Sequence, residues 1–101
     1  MATRLEREYQ ARLIKRIERM LPGAYIRKHD MQQGWPDILI LWRSRWAMVE
    51  VKREKPTADD YEPNQEWWID EFDSMSFSAC IYPENEQEVL NALEQTFRTR
   101  R

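Results

Sequence analysis

The chain has 101 residues, 34% of them charged and 12% aromatic, and carries a formal net charge of −2. That length suits one small domain and leaves no room for a second, so residues 1–101 are expected to fold as a single unit. The lone Cys80 excludes an internal disulfide or a thiolate metal cluster, and no apolar run approaches the roughly 20 residues needed to span a bilayer.

In chain order, Leu5, Tyr9, Leu13, Ile14, Ile17, Met20 and Leu21 recur at three- and four-residue steps and predict a helix over 3–21, stopped by Pro22-Gly23. Ala24–Lys28 reads as a first strand. The polar stretch His29–Gly34 leads through Trp35-Pro36 into a strand over Asp37–Trp42, whose Ile38-Leu39-Ile40-Leu41 run suits burial on both faces. Arg43-Ser44-Arg45 is a tight connection to a third strand, Trp46–Val51, which makes the pair a hairpin. Lys52–Glu62 is a loop containing Pro56. Pro63 is expected in the first turn of a second helix running to about Ser74. A fourth strand covers Phe77–Tyr82, and Pro83 opens a third helix to about Arg98, with Val89, Leu90, Leu93 and Phe97 on its apolar side. A hairpin followed by a helical crossover implies an α/β fold with a mixed sheet and helices packed on it.

Charge is unevenly distributed. Residues 1–30 hold eight Lys or Arg against four acids, 43–55 hold five against two, and 56–97 hold eleven acids with no Lys or Arg. A basic first half is compatible with phosphate contact despite the negative total, and equally with an ordinary solvated surface. Arg4, Arg7, Arg12, Lys15, Arg16 and Arg19 fall outside the helix's apolar face or on its margins, where they either line a phosphate track or solvate the helix. The charged N-terminus MATRLEREYQ lacks the apolar region of a signal peptide, so a cytoplasmic location and no membrane partner are expected. Apolar neighbours Ala79 and Ile81 predict Cys80 as a buried structural thiol rather than a nucleophile, and His29 is expected to be exposed on its loop rather than to touch phosphate or act as an acid. Trp67 and Trp68 are consecutive, so one should pack and the other face outward. Trp42 and Trp46 are expected to pair around the hairpin.

Three acids carry the chemistry. On a helical wheel Glu6 falls at about 100°, in the middle of an apolar face centred near about 90°. A carboxylate there needs a cation or hydrogen bonds, unless it simply favours the helix N-terminus and frays into water. Asp37 heads an apolar strand, where by itself it could be a turn residue. In Glu50-Val51-Lys52, alternation places Glu50 and Lys52 on one face; alone they could be an edge-strand charge pair. The hairpin lays the start of the second strand beside the end of the third, which brings Asp37 and Glu50 together across the ladder. Two carboxylates that close repel, and a hard divalent cation such as Mg²⁺ or Mn²⁺ relieves the repulsion.

Pro36-Asp37, twelve intervening residues and Glu50-Val51-Lys52 resemble the PD-(D/E)xK nuclease signature. With Glu6 on the preceding helix, the Gly34-Trp35-Pro36-Asp37 approach and the later Gln65, the chain is similar to the small VRR-NUC branch, and to the related archaeal-type Holliday junction resolvases, over roughly residues 6–82. The resemblance implies a restriction-endonuclease-like αβββαβ core and Mg²⁺- or Mn²⁺-dependent hydrolysis of DNA phosphodiesters, with branched DNA as the substrate and no organic cofactor. Asp37 and Glu50 would hold the metal with the Val51 carbonyl as a third ligand. Glu6 would complete its shell directly or through water. Lys52 would orient the attacking water and steady charge on the phosphate, and Gln65 would position a water or a phosphate oxygen. Arg27, Lys28, Arg53 and Lys55 flank the site and are expected to bind DNA. The loop to Gln65 carries Pro56, Pro63, Asp59, Asp60 and Glu62, where the family often has Gly.

Paired nicks in a junction would require a homodimer, and a compact enzyme of this kind suits a phage or mobile element acting in a host cytoplasm. The competing readings are a flap or single-strand nuclease of the same fold and a non-catalytic DNA- or protein-binding module.

Overall fold

The computed structural model describes residues 3–99. Helix α1 (Arg4–Met20) begins where Thr3 caps it, its Oγ1 accepting the Glu6 backbone N–H at 3.1 Å. Strands β1 (Tyr25–Lys28), β2 (Ile38–Trp42) and β3 (Arg45–Val51) follow, then α2 (Gln65–Met75), β4 (Ser78–Ile81) and α3 (Glu86–Arg98). The sheet order is β1-β2-β3-β4, antiparallel across the first two junctions and parallel across the last. The parallel pair needs a crossover, and α2 supplies it. The result is the α/β architecture expected: a mixed four-stranded sheet flanked by helices, compatible with a restriction-endonuclease-like fold.

Strand alternation divides the packing between the two faces. Ile38, Ile40, Trp42, Ala47, Val49, Val51 and Ile81 point to the face that receives Tyr9, Leu13 and Ile17 of α1 and Leu90, Leu93 and Phe97 of α3. Each fully buried large aliphatic side chain in that layer contributes about 1.5–3 kcal/mol. On the opposite face α2 lies against β3 and β4. There Trp35, Trp68 and Phe72 form an aromatic cluster with ring centroids 5.0 to 5.4 Å apart. That cluster ties the 29–36 segment onto α2 and so fixes the entry to β2.

Several details differ from the sequence-based expectation. Asn64 takes a left-handed conformation (φ 65°), which breaks the helical path after Pro63, so α2 starts at Gln65 rather than at the proline. Asn tolerates this region better than most residues. Pro83–Asn85 form a 3₁₀ turn before α3. The Asn85 side chain accepts from the Tyr82 N–H at 2.9 Å and donates to the Cys80 carbonyl at 3.0 Å, holding that turn to β4. Trp42 and Trp46 do not pair. In the hairpin Trp42 lies opposite Arg45 and Leu41 opposite Trp46, so the two indoles occupy opposite faces. Trp42 stacks on Phe97 (6.3 Å, 3°), while Trp46 meets Phe72 edge-on at 6.0 Å. Trp68 packs and Trp67 is 57% exposed, as the consecutive pair required.

Candidate active site

The β2–β3 register pairs Ile38 with Val49, so one further step places Asp37 opposite Glu50. A hydrogen bond closes that step: the Asp37 N–H donates to Glu50 Oε1 at 3.2 Å. The β1–β2 ladder continues likewise, with the His29 N–H donating to the Asp37 carbonyl at 2.9 Å. The Asp37 backbone is therefore held on both sides, by the Glu50 carboxylate on one and by the His29 amide on the other.

Glu50 is only 7% exposed, and Lys52 Nζ lies 3.5 Å from its Oε2. Burial pushes the Glu50 carboxyl up to about 7, and the Asp37 charge adds to the rise against the pull of Lys52. Burial also raises Asp37, opposed by the charges of Lys28, His29 and Lys52 and by its hydrogen bonding. Asp37 Oδ1 is buried without a hydrogen-bond partner. Two desolvated carboxylates facing one lysine, one of their oxygens unsatisfied, match the oxygen-donor set a hard divalent cation takes. The residues present fit such an ion.

Among the described residues, no three His, Cys, Asp or Glu side chains converge on one point. Glu6, half-buried on α1, lines a cleft of about 620 Å³ together with Lys52, Arg53 and Lys55. Val51 ends β3, and the following Lys52 N–H donates to the Ile81 carbonyl at 2.9 Å, fixing the backbone there.

Gln65 is 1% exposed. Its Oε1 accepts from the Glu62 N–H at 3.4 Å, and Glu62 Oε1 accepts from the Gly34 N–H at 3.2 Å. The side-chain oxygen is thus engaged inside the protein, in a chain of contacts that ends on the Gly34-Trp35-Pro36 approach to Asp37. Gly34 adopts φ +92°, and a Cβ there would lie 2.7 Å from the Pro63 carbonyl oxygen, so the close approach of the two loops requires glycine.

The basic residues flank the pair in two groups. Lys28 ends β1 opposite Ile38, exposed and close enough to Asp37 to pull on its proton. Arg27 is exposed, donates to the Ile26 carbonyl at 3.0 Å and lies over the Tyr25 ring at 5.7 Å. Arg53 and Lys55 stand on the other side, in the cleft with Glu6.

Three neighbours of the site escaped sequence reasoning. His29 is half-buried rather than exposed: it sits edge-on to Trp35 at 6.4 Å, and its Nε2 is buried without a hydrogen-bond partner. Extending the first two strands by one residue would have revealed it as Asp37's neighbour. Cys80 pairs with Glu50 across the parallel ladder and is half-buried beside the site rather than in the core. Burial pushes its thiol up to about 11, against a hydrogen bond from Tyr61. Tyr61, whose hydroxyl is raised chiefly by burial, lies in the long loop, where no periodicity announces it.

Neither the curated proteins nor the solved structures contain a match to the chain. The model of the VRR-NUC domain matches residues 2–82, a span that holds Glu6, Asp37, Glu50, Lys52 and Gln65 and all four strands. The chain therefore belongs to the VRR-NUC family, a nuclease branch of the PD-(D/E)xK superfamily.

Proposed function

We propose that this nuclease domain is a Mg²⁺- or Mn²⁺-dependent endonuclease that hydrolyses DNA phosphodiesters and prefers branched DNA, working as a homodimer. The observation that carries the chemistry is the buried, unsatisfied Asp37 Oδ1 opposite Glu50, whose ionised form burial disfavours. Asp37 and Glu50 would hold the ion, with the Val51 carbonyl as a further ligand and Glu6 acting through water. When bound, the ion neutralises phosphate charge and lowers the pKa of a water molecule.

The chain's own residues supply the rest. Lys52, aligned by Glu50, directs a cationic head toward the attacking water and the charge growing on the phosphate. Lys28 and Arg27 on one side, and Arg53 and Lys55 on the other, hold the flanking phosphates in line. Gln65 acts through Glu62 and Gly34 to keep Asp37 in place. The preference for branched DNA rests on the resemblance to junction resolvases. The homodimer is supported by Tyr25 and Leu41, register neighbours 62% and 42% exposed on a sheet face that a second subunit would cover.

The test is cleavage of labelled four-way junction, flap and linear duplex with Mg²⁺, Mn²⁺ or EDTA, alongside the mass of the protein in solution. Paired, metal-dependent nicks in the junction by a dimer are expected. Metal-dependent cutting confined to flaps or single strands would retain the chemistry and overturn the junction preference. Binding of these DNAs without cutting would make the domain a binding module.

A further inference from the structure

Arg12, Arg16 and Arg19 follow one another at four- and three-residue steps, which puts them in one stripe along α1. The stripe opens into a second cavity of about 490 Å³, lined also by Tyr9, Pro83, Glu86 and Arg53. Arg53 belongs as well to the cleft that holds Glu6, Lys52 and Lys55, so the two depressions meet at its side chain.

The charge in this second cavity opposes that of the chain. Four arginines face one glutamate, in a protein whose net charge is −2. The glutamate is already occupied: Glu86 Oε1 accepts from the Tyr9 hydroxyl at 2.8 Å, and its Oε2 pairs with Arg16. Arg16 also donates to Gln87. It is therefore a fixed member of the groove. Arg12 and Arg19 are exposed and form no ion pair among the described residues. Guanidinium groups present paired donors suited to phosphate oxygens. From Arg12 to Arg19 the helix rises about 10 Å, the axial length of about three phosphates on one strand of duplex DNA.

We infer that the Arg12–Arg16–Arg19–Arg53 groove is a second phosphate-backbone site, which holds the DNA strand as it passes Arg53 out of the cleft that contains Lys52. This rests on the nuclease reading given above and extends it to the α1 arginines beyond the cleft that contains Lys52. The contacts are to phosphate only, so the groove adds affinity without sequence preference.

The experiment is binding of fluorescent linear duplex and four-way junction to the full chain, measured by anisotropy between about 50 and 200 mM NaCl. An Asp37→Asn background keeps the DNA intact. Arg12→Gln/Arg19→Gln is compared with Arg12→Lys/Arg19→Lys and with Arg43→Gln, which removes a charge on the β2–β3 turn, outside the groove. Removing two phosphate contacts is expected to reduce the slope of log K against log salt by about 1.8 on duplex. The lysine pair should restore most of that slope, and Arg43→Gln should leave it nearly unchanged. An unchanged slope in the glutamine pair, or a matching per-charge loss in Arg43→Gln, overturns the groove. Metal-dependent cleavage by the unmodified protein would then still stand. Absence of DNA binding at every salt concentration, with folded protein, overturns the groove and the nuclease reading together.

Discussion

Glu50→Gln is expected to make the metal-free protein more stable at alkaline pH while disabling it as an enzyme. Folded Glu50 keeps its proton up to about pH 7, whereas the unfolded chain releases it near the ordinary 4.5. The folded state binds more protons across that interval, so wild-type stability falls as pH rises from about 4.5 to about 7 and stays lowered above it. At about 1.4 kcal/mol per pH unit, the rise from 4.5 to about 7 is worth about 3 kcal/mol. Glutamine carries no charge to desolvate. Its side-chain oxygen can still accept the Asp37 N–H, and Asp37 then faces Lys52 without a second carboxylate. In EDTA at pH 8, Glu50→Gln should therefore unfold up to about 3 kcal/mol later than wild type, roughly 10–20 °C in melting temperature for a domain of this size. At pH 5 the gap should shrink to under about 1 kcal/mol. Mg²⁺ at pH 8 should raise the melting temperature of wild type and leave that of the variant nearly unchanged. Urea and thermal unfolding from pH 5 to 8.5, with and without Mg²⁺, measure all of this. A Glu50→Gln protein less stable than wild type at pH 8 would mean that burial does not oppose the charge on Glu50.

Other substitutions probe other parts of the account. Gly34→Ala drives a Cβ to 2.7 Å from the Pro63 carbonyl at a backbone φ of +92°, and should cost at least about 2 kcal/mol in urea denaturation. Its cleavage rate should fall too, since the loop leading to Asp37 must shift. Lys52→Met should leave the fold intact by circular dichroism and reduce single-turnover cleavage by about 10²–10³-fold, the scale for loss of one preorganised electrostatic group. Cys80, its thiol raised to about 11, should react slowly with a thiol reagent at pH 8 and quickly once urea unfolds the chain. Rapid labelling of the folded protein would contradict that assignment.

The sequence revealed what periodicity and register control. Apolar spacing in α1 and α3, the continuous Ile38–Leu41 run and the hairpin carry enough information to place Asp37 opposite Glu50 before any coordinates. What depends on tertiary approach was not legible. The burial of Gln65 and its link through Glu62 to Gly34 arise from two loops meeting, and nothing in either loop's composition announces the meeting. The half-burial of His29 follows from Trp35 folding onto α2. The separation of Trp42 from Trp46 was readable, since strand parity decides it once the turn is limited to Arg43-Ser44. The wheel placed Glu6 on the apolar side of its helix, but how far α1 carries it from the Asp37–Glu50 pair is set by how α1 docks on the sheet.

In the proposed function, Asp37 and Glu50 hold a divalent ion that makes this domain cut DNA. Single-turnover cleavage of a labelled four-way junction by wild type and Asp37→Asn, in Mg²⁺ and in EDTA, tests it most directly. Cutting by wild type in Mg²⁺ alone is expected, with the variant slower by at least about 10³-fold though folded and still able to bind the junction. Equal rates for the two proteins in Mg²⁺, or undiminished cutting by wild type in EDTA, would contradict it.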